Sequence, residues 1–300
     1  MTQFKAVSGA WTKNAEDDYK GTCDASLSAR AIKGSETDEN YEFHATVKPG
    51  NGKSAIIVNY AVDEDWNEHY VEMVLDPNGD TVKLEAVTRD ETGVETSREP
   101  LASYNKSLAY NTEYNTRVVS HKLSDGSYAV YGYVDDFMLV IAEDLASPYQ
   151  KGMHGLESLG ILGDATDYSL LFKGPYGAKT FMDEVLKLVG LTTTNIGYVD
   201  LWPLVEKAID YAEGELNTSM EFTDLSSDER LLIKDLSAVA AALKASGGAS
   251  SGSSFSLGDL SVKSETTTET EASSNIAYLQ AEIVRLLDRL RDIPFTVGQA

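Results

Sequence analysis

At Gly174-Pro-Tyr-Gly177 the hydrophobic period of this chain changes from two to about 3.6, so the two sides of that point need different secondary structure. Before it, apolar and polar residues alternate; after it, apolar residues recur at steps of three and four. The pattern predicts two domains, an antiparallel β-sandwich over 1–175 and a mainly helical domain over 178–300. Three hundred residues allow each its own core.

In the first part Tyr41, Phe43, Ala45 and Val47 alternate with polar neighbours, and Ala55 to Tyr60 is a continuous apolar strand. Tyr70 to Leu75 runs into Asp76-Pro-Asn-Gly-Asp80 and out through Val82 and Leu84; asparagine followed by glycine favours the positive φ of a tight hairpin. Further strands are predicted at Thr116 to Lys122, Ser127 to Val134 and Phe137 to Ala142. Short strands joined by polar turns point to a sandwich.

In the second part, helices are predicted at Phe181 to Leu191, Leu201 to Leu216, and from the capping box Ser226-Ser-Asp-Glu229 onward through Leu232, Leu236, Val239 and Leu243. A glycine/serine run, 247–253, then precedes a short β segment at Ser254 to Lys263. A Ser/Thr/Glu tether, 264–274, separates that segment from a final helix, Ile276 to Ile293. On this helix Ile276, Leu279, Ile283, Leu286, Leu287 and Leu290 form one stripe, and Glu282, Asp288 and Asp292 stand against Arg285, Arg289 and Arg291. Such a helix either folds back on its own domain or docks on another subunit.

Forty-eight acidic against 25 basic residues give a net charge of -23, spread over both parts of the chain. That balance opposes gripping nucleic acid through a basic face and binding to anionic membranes. It suits a protein working in high salt or a conduit past which a polyanion slides. One cysteine, Cys23, excludes an intrachain disulfide. The opening residues lack an apolar signal-peptide core and no run is long enough to span a bilayer, so assembly inside a cell is the expectation.

No motif for catalysis is visible. His44, His69, His121 and His154 show no metal-ligand spacing, and Gly155-Leu-Glu-Ser-Leu-Gly160 has glycines without the spacing of a phosphate loop. Asp63-Glu-Asp-Trp-Asn-Glu68 is read as a solvated acidic loop, with calcium binding as the alternative. Trp66 and Tyr70, with Tyr60, Tyr131 and Tyr133, are candidate glycan-stacking residues; the alternative is that they are core. No enzyme activity, metal or cofactor is expected.

Tyr41-Glu-Phe-His-Ala-Thr-Val-Lys-Pro-Gly50, Ser54 to Tyr60, Tyr70 to Leu75 with its turn, Tyr114-Asn-Thr-Arg-Val-Val119, Val130-Tyr-Gly-Tyr-Val-Asp135 and Gly152-Met-His-Gly-Leu156 resemble, in strand order, the laminin-G/concanavalin-like jelly rolls. The resemblance implies a two-sheet jelly roll with one concave face. Glycanases on that fold carry Glu-x-Asp-x-x-Glu on one strand, and this chain has no such arrangement.

Val185-Leu-Lys-Leu-Val-Gly-Leu-Thr-Thr-Thr194, Ala208-Ile-Asp-Tyr-Ala-Glu-Gly-Glu-Leu216, the alanine-rich stretch Ala238 to Leu243, and Ser254-Phe-Ser-Leu-Gly-Asp-Leu-Ser-Val262 before a terminal helix resemble the head-to-tail connector (adaptor) proteins of tailed viruses. That resemblance implies a structural virion protein in the neck, assembled in the host cytoplasm, forming a dodecameric ring between a portal protein and a tail or second neck protein, with genomic DNA passing through unbound. The residues implied to dock on the portal are Ile276, Leu279, Ile283, Arg285, Leu286, Leu287, Arg289 and Leu290; the implied inter-subunit β segment is Phe255, Leu257, Leu260 and Val262. The fused jelly roll departs from that family and would decorate the neck or attach to host glycans, and the acidity fits an archaeal virus of a salt-loving host. The alternative reading is a carbohydrate-binding adhesin or glycanase-like protein whose helical part oligomerises it.

Overall fold

The computed structural model describes residues 4–15, 17–25, 27–245, 254–257, 260–263 and 271–291, with the backbone alone for 254–257, 260–263 and 271–275. The chain divides into two compact units, Met1–Tyr176 and Gly177–Ala300.

The strands of the first unit are β1 (Lys5–Ser8), β2 (Ala10–Lys13), β3 (Asp18–Thr22), β4 (Ser28–Lys33), β5 (Tyr41–Lys48), β6 (Lys53–Val62), β7 (Glu68–Asp76), β8 (Thr81–Arg89), β9 (Glu95–Asn105), β10 (Tyr114–Lys122), β11 (Tyr128–Val134), β12 (Phe137–Ala142), β13 (Met153–Leu159) and β14 (Ala165–Pro175). They form two antiparallel sheets of seven strands. Sheet I has the order β1-β4-β13-β6-β7-β8-β9 and sheet II the order β12-β11-β10-β5-β14-β3-β2. Strands distant in sequence are neighbours in both, which gives a jelly-roll-like β-sandwich.

Alternation sorts the side chains. Phe43, Ala45, Val47, Ile56, Val58, Val71, Met73, Leu75, Val118, Val130 and Leu156 fill the space between the sheets. The close approach at its centre is set by Gly132, where an added Cβ would sit 2.7 Å from Met73 Sδ and 2.6 Å from Val140 Cγ2. The continuous apolar run in β6 has its own explanation. Ile56 and Val58 face the inter-sheet core, while Ile57 and Tyr60 join Ile32, Tyr70 and Val87 in a second cluster on the opposite face of sheet I. The predicted β7–β8 turn forms over 77–80, with Gly79 N–H donating to Asp76 Oδ1 at 3.1 Å, but the positive φ falls on Asp80 (48°) and not on Asn78 or Gly79.

The second unit contains α1 (Ala178–Leu188), α2 (Tyr198–Leu216), a 3-10 turn (Phe222–Asp224), α3 (Ser227–Ala245), β15 (Ser254–Leu257), β16 (Leu260–Lys263) and α4 (Glu271–Arg291). The capping box forms: Ser226 N–H donates to Glu229 Oε2 at 2.8 Å, and Glu229 N–H to Ser226 Oγ at 3.4 Å. α2 starts at Tyr198, before the predicted Leu201, so Pro203 is its sixth residue and lies inside the helix, where its missing N–H removes one i→i−4 bond; Asn217 closes that helix in the left-handed region at φ 51°. Phe222 sits edge-on between Phe181 and Trp202, with centroids 5.2 and 5.1 Å away.

The terminal helix answers the question its stripe posed. α4 packs on α3 and α2 of its own unit, burying Leu279, Ile283, Leu286 and Leu287, with Ile276 and Leu290 half-buried. Arg289 pairs with Asp228 of α3 at 2.7 Å, Arg291 pairs with Glu215 of α2, and Arg285 pairs within α4 with Glu282. The apolar side chains assigned to portal docking are therefore occupied in intrachain packing, because α3 and α2 present the apolar surface that this stripe covers. The helix begins at Glu271, so the last residues assigned to the tether are helical; the run 247–253 lies outside the described residues. The segment assigned to inter-subunit pairing folds on itself as a hairpin, with Phe255 opposite Val262 and Leu257 opposite Leu260.

Candidate functional site

The face of sheet I turned away from the inter-sheet core carries charge. On β7, Val71, Met73 and Leu75 point to the core, so Tyr70 and Glu72 point the other way; on β13, Leu156 points in and Glu157 out. Arg30 of β4, Arg89 of β8 and Arg98 of β9 meet these carboxylates. Glu157 accepts from Ser28 Oγ (2.6 Å), Arg89 Nη2 (3.2 Å) and Tyr70 OH (3.3 Å), and it lies 3.6 Å from Arg30 Nε. Arg30 also pairs with Glu68. Arg89 Nε donates to Tyr70 OH at 2.9 Å and Nη1 to the Gly93 carbonyl at 3.1 Å. Arg98 grips Glu72, Glu85 (2.5 Å) and, through two parallel bonds of 2.9 and 2.8 Å, Glu95.

Five glutamates thus share three arginines, which leaves an excess of negative charge beneath the protein surface. Burial, then the nearby Glu157 carboxylate, push the Glu72 carboxyl up to about 8. Its Oε2 is buried and has no hydrogen-bond partner, which fits a Glu72 carboxyl that is protonated at neutral pH. Because the folded value is raised, Glu72 contributes stability fully present below about 4.5 and lost as pH rises toward 8. Glu72→Gln removes that dependence while keeping the Arg98 contact. Its stability relative to the parent is expected to climb by about 1–3 kcal/mol between pH 5 and pH 8, since one pH unit in the window is worth at most about 1.4 kcal/mol. Urea unfolding at the two pH values reads this directly; a difference that does not change with pH contradicts a Glu72 carboxyl raised by burial.

Above the network lies a cleft of about 550 Å³ lined by Leu27, Ser28, Lys53, Val74, Leu159 and Gly160 on one side and by Glu85, Arg89, Thr92 to Glu95 and Arg98 on the other. Its second wall is the β8–β9 turn, which is braced from within. Asp90 Oδ1 accepts from Thr92 N–H (2.9 Å), Thr92 Oγ1 (2.7 Å) and Val94 N–H (3.0 Å). Leu27 and Val94 stand exposed at the rim.

The β6–β7 loop leaves the same end of sheet I as the β8–β9 turn, since Glu68 opposes Arg89 in the ladder. Here Asp63 organises a tight turn, accepting from Asp65 N–H (2.9 Å), Asn67 N–H (2.8 Å), Asn67 Nδ2 (3.0 Å) and His69 Nε2 (2.9 Å). The bonds from His69 and then Asn67 hold its carboxyl well below the usual carboxylate range. His69 is itself fixed by Thr88 at 3.2 Å, and Thr88 by Tyr149 at 2.7 Å. Trp66, at the tip, has φ 65° and is 72% exposed. A left-handed backbone at a bulky residue costs about 1–3 kcal/mol and is retained where the surroundings enforce it.

The sequence candidates therefore separate. Trp66 is a presented aromatic face; Tyr70 is fully buried against Tyr60 (5.9 Å between centroids) and cannot stack on a ligand. Tyr133 is covered by the Arg117 guanidinium at 3.7 Å. The acidic loop spends its Asp63 oxygens on its own backbone and His69, and among the described residues no group of three or more His, Cys, Asp and Glu side chains is placed to hold a metal. Glu72, Glu157, Arg30, Arg89 and Arg98 were not legible as a group. The available signal was a charged residue in the middle of an otherwise apolar strand, which demands a buried partner.

No protein-family model matches the chain, and no curated protein matches it. Among solved structures it is similar to a carbohydrate-binding module from Bacillus subtilis (17% identity over 58% of this chain and 96% of the other, TM-score 0.42). It is also similar to the potassium-bound carbohydrate recognition domain of Emp46p (12% identity, 58% and 88%, TM-score 0.42) and to a β-glucanase from Bacillus licheniformis (12% identity, 55% and 88%, TM-score 0.34).

Proposed function

We propose that the sandwich unit is a carbohydrate-binding module that holds glycan without cleaving it. The carrying observation is Trp66: a large apolar face with a polar edge, held rigid by a hydrogen-bonded loop in a strained backbone conformation. The β8–β9 turn, which leaves sheet I at the same end, is one wall of the cleft, and Lys53, Ser28 and Leu159 of the other wall lie at the far ends of their strands. A sugar ring offers a flat apolar face and a hydroxyl rim, and this pairing of surfaces suits both. Hydrolysis is a poorer fit, because a general acid must touch the glycosidic oxygen, whereas Glu72 and Glu157 are fully buried and tied to guanidinium groups. On a glycan array the full chain is expected to bind, and Trp66→Ala to weaken binding by about 30-fold or more, the loss of about 2 kcal/mol usual for a tryptophan anchor. Equal binding by the variant, or none by the parent, would sink the reading.

A second reading concerns the helical unit alone. The order of three helices, hairpin and terminal helix is the order implied by the connector resemblance, and it supports a ring-forming subunit that meets a portal protein and a tail or neck protein. With the α4 stripe packed internally, such assembly would use the exposed side of α4, where Tyr278 and Val284 lie. Native mass spectrometry of the full chain tests it: a closed ring of copies supports the reading and a monomer at assembly concentrations contradicts it.

A further inference from the structure

Resting on the carbohydrate reading of the cleft, we infer that the site selects neutral or amine-bearing glycans and rejects those bearing carboxylate or sulfate. The cleft contains two arginines, Arg89 and Arg98, the usual recognition groups for anionic sugars. Both are already engaged. Arg98 spends Nε and Nη2 on Glu95 and Nη1 on Glu72 and Glu85. Arg89 spends Nε on Tyr70, Nη1 on the Gly93 carbonyl and Nη2 on Glu157, with Glu95 at 3.5 Å. What the cleft shows an incoming ligand is therefore acceptor-rich: Glu85 and Glu95, backed by an excess of carboxylates over guanidiniums. Sugar hydroxyls and ammonium groups donate to such a surface, while a carboxylate would be repelled and would have to displace Glu95 to reach either arginine. Lys53, on the wall opposite Glu95, is the one lysine of the lining among the described residues; it pairs with Asp76 at 3.0 Å, a carboxylate it shares with Lys83.

Glu95 is the discriminating residue. It lines the cleft, its side chain is 35% exposed, and it blocks the forked edge of Arg98. The test compares binding of the full chain and of Glu95→Gln to immobilised neutral polysaccharides, chitosan, alginate and heparin, at 0.15 M and 0.5 M salt so that the overall charge is screened in one arm. Expected is parent binding to a neutral polymer or chitosan at both salt concentrations with no retention on alginate or heparin, and at least a tenfold gain on alginate in Glu95→Gln. Parent binding to alginate or heparin at both salts overturns this selectivity while leaving carbohydrate binding intact. A Glu95→Gln chain that stays folded and gains nothing on alginate overturns the blocking role of Glu95. Binding to none of the polymers removes the carbohydrate reading itself, and the selectivity with it.

Discussion

Glu157→Ala should destabilise the sandwich by about 3–5 kcal/mol, the range for removing one partner of a buried ion pair. Glu157 is fully buried and joins three elements of sheet I: Ser28 beside Arg30 on β4, Tyr70 on β7 and Arg89 on β8. Without it, the Arg30 guanidinium, only 2% exposed, retains Glu68 alone, and the Tyr70 hydroxyl loses its acceptor. The penalty is mostly the desolvated cation left behind, so Glu157→Gln, which keeps an acceptor in place, should cost less than half as much. Urea unfolding of both variants decides it. A cost under about 1 kcal/mol for the alanine change would mean that water reaches the network and that the charges are not buried as described.

Leu286→Ala should cost the helical unit about 3 kcal/mol and loosen α4 before the rest of it. Leu286 is fully buried on the α4 stripe, and truncating a buried leucine typically costs about 2–5 kcal/mol. With Leu279, Ile283 and Leu287 it forms the face that α4 presents to α3 and α2, and the remaining ties are exposed ion pairs such as Arg289 to Asp228. Pairs of that kind each contribute well under about 1 kcal/mol, so they cannot hold the helix alone. Hydrogen exchange should show α4 amides losing protection first. Undiminished protection and an unchanged melting temperature would mean that α4 is held elsewhere, and the docking of this stripe on another subunit would return as an option.

Local features were readable from sequence because their causes are local. The capping box at Ser226 and Glu229, the Asn78-Gly79 turn and the alternation in β5 each depend on residues within a few positions. The buried network was not readable for the opposite reason. Arg30, Glu72, Arg98 and Glu157 are far apart in sequence and meet only through a sheet order in which β13 lies between β4 and β6. Trp66 was visible as a candidate, yet its exposure depends on the Asp63 turn, and nothing in the local pattern distinguished it from Tyr70 four residues on. The α4 stripe illustrates a different limit: periodicity shows that a helix has an apolar face and is silent on whose groove it fills.

The central claim, that the Trp66 loop receives a sugar, is tested most directly by observing the three tryptophan indole N–H resonances during titration with the oligosaccharide best bound on the array. Trp11 and Trp202 serve as internal references, one in each unit. The account predicts a saturable shift of the Trp66 resonance with Trp202 unmoved. A Trp66 resonance that stays in place while binding saturates would contradict it.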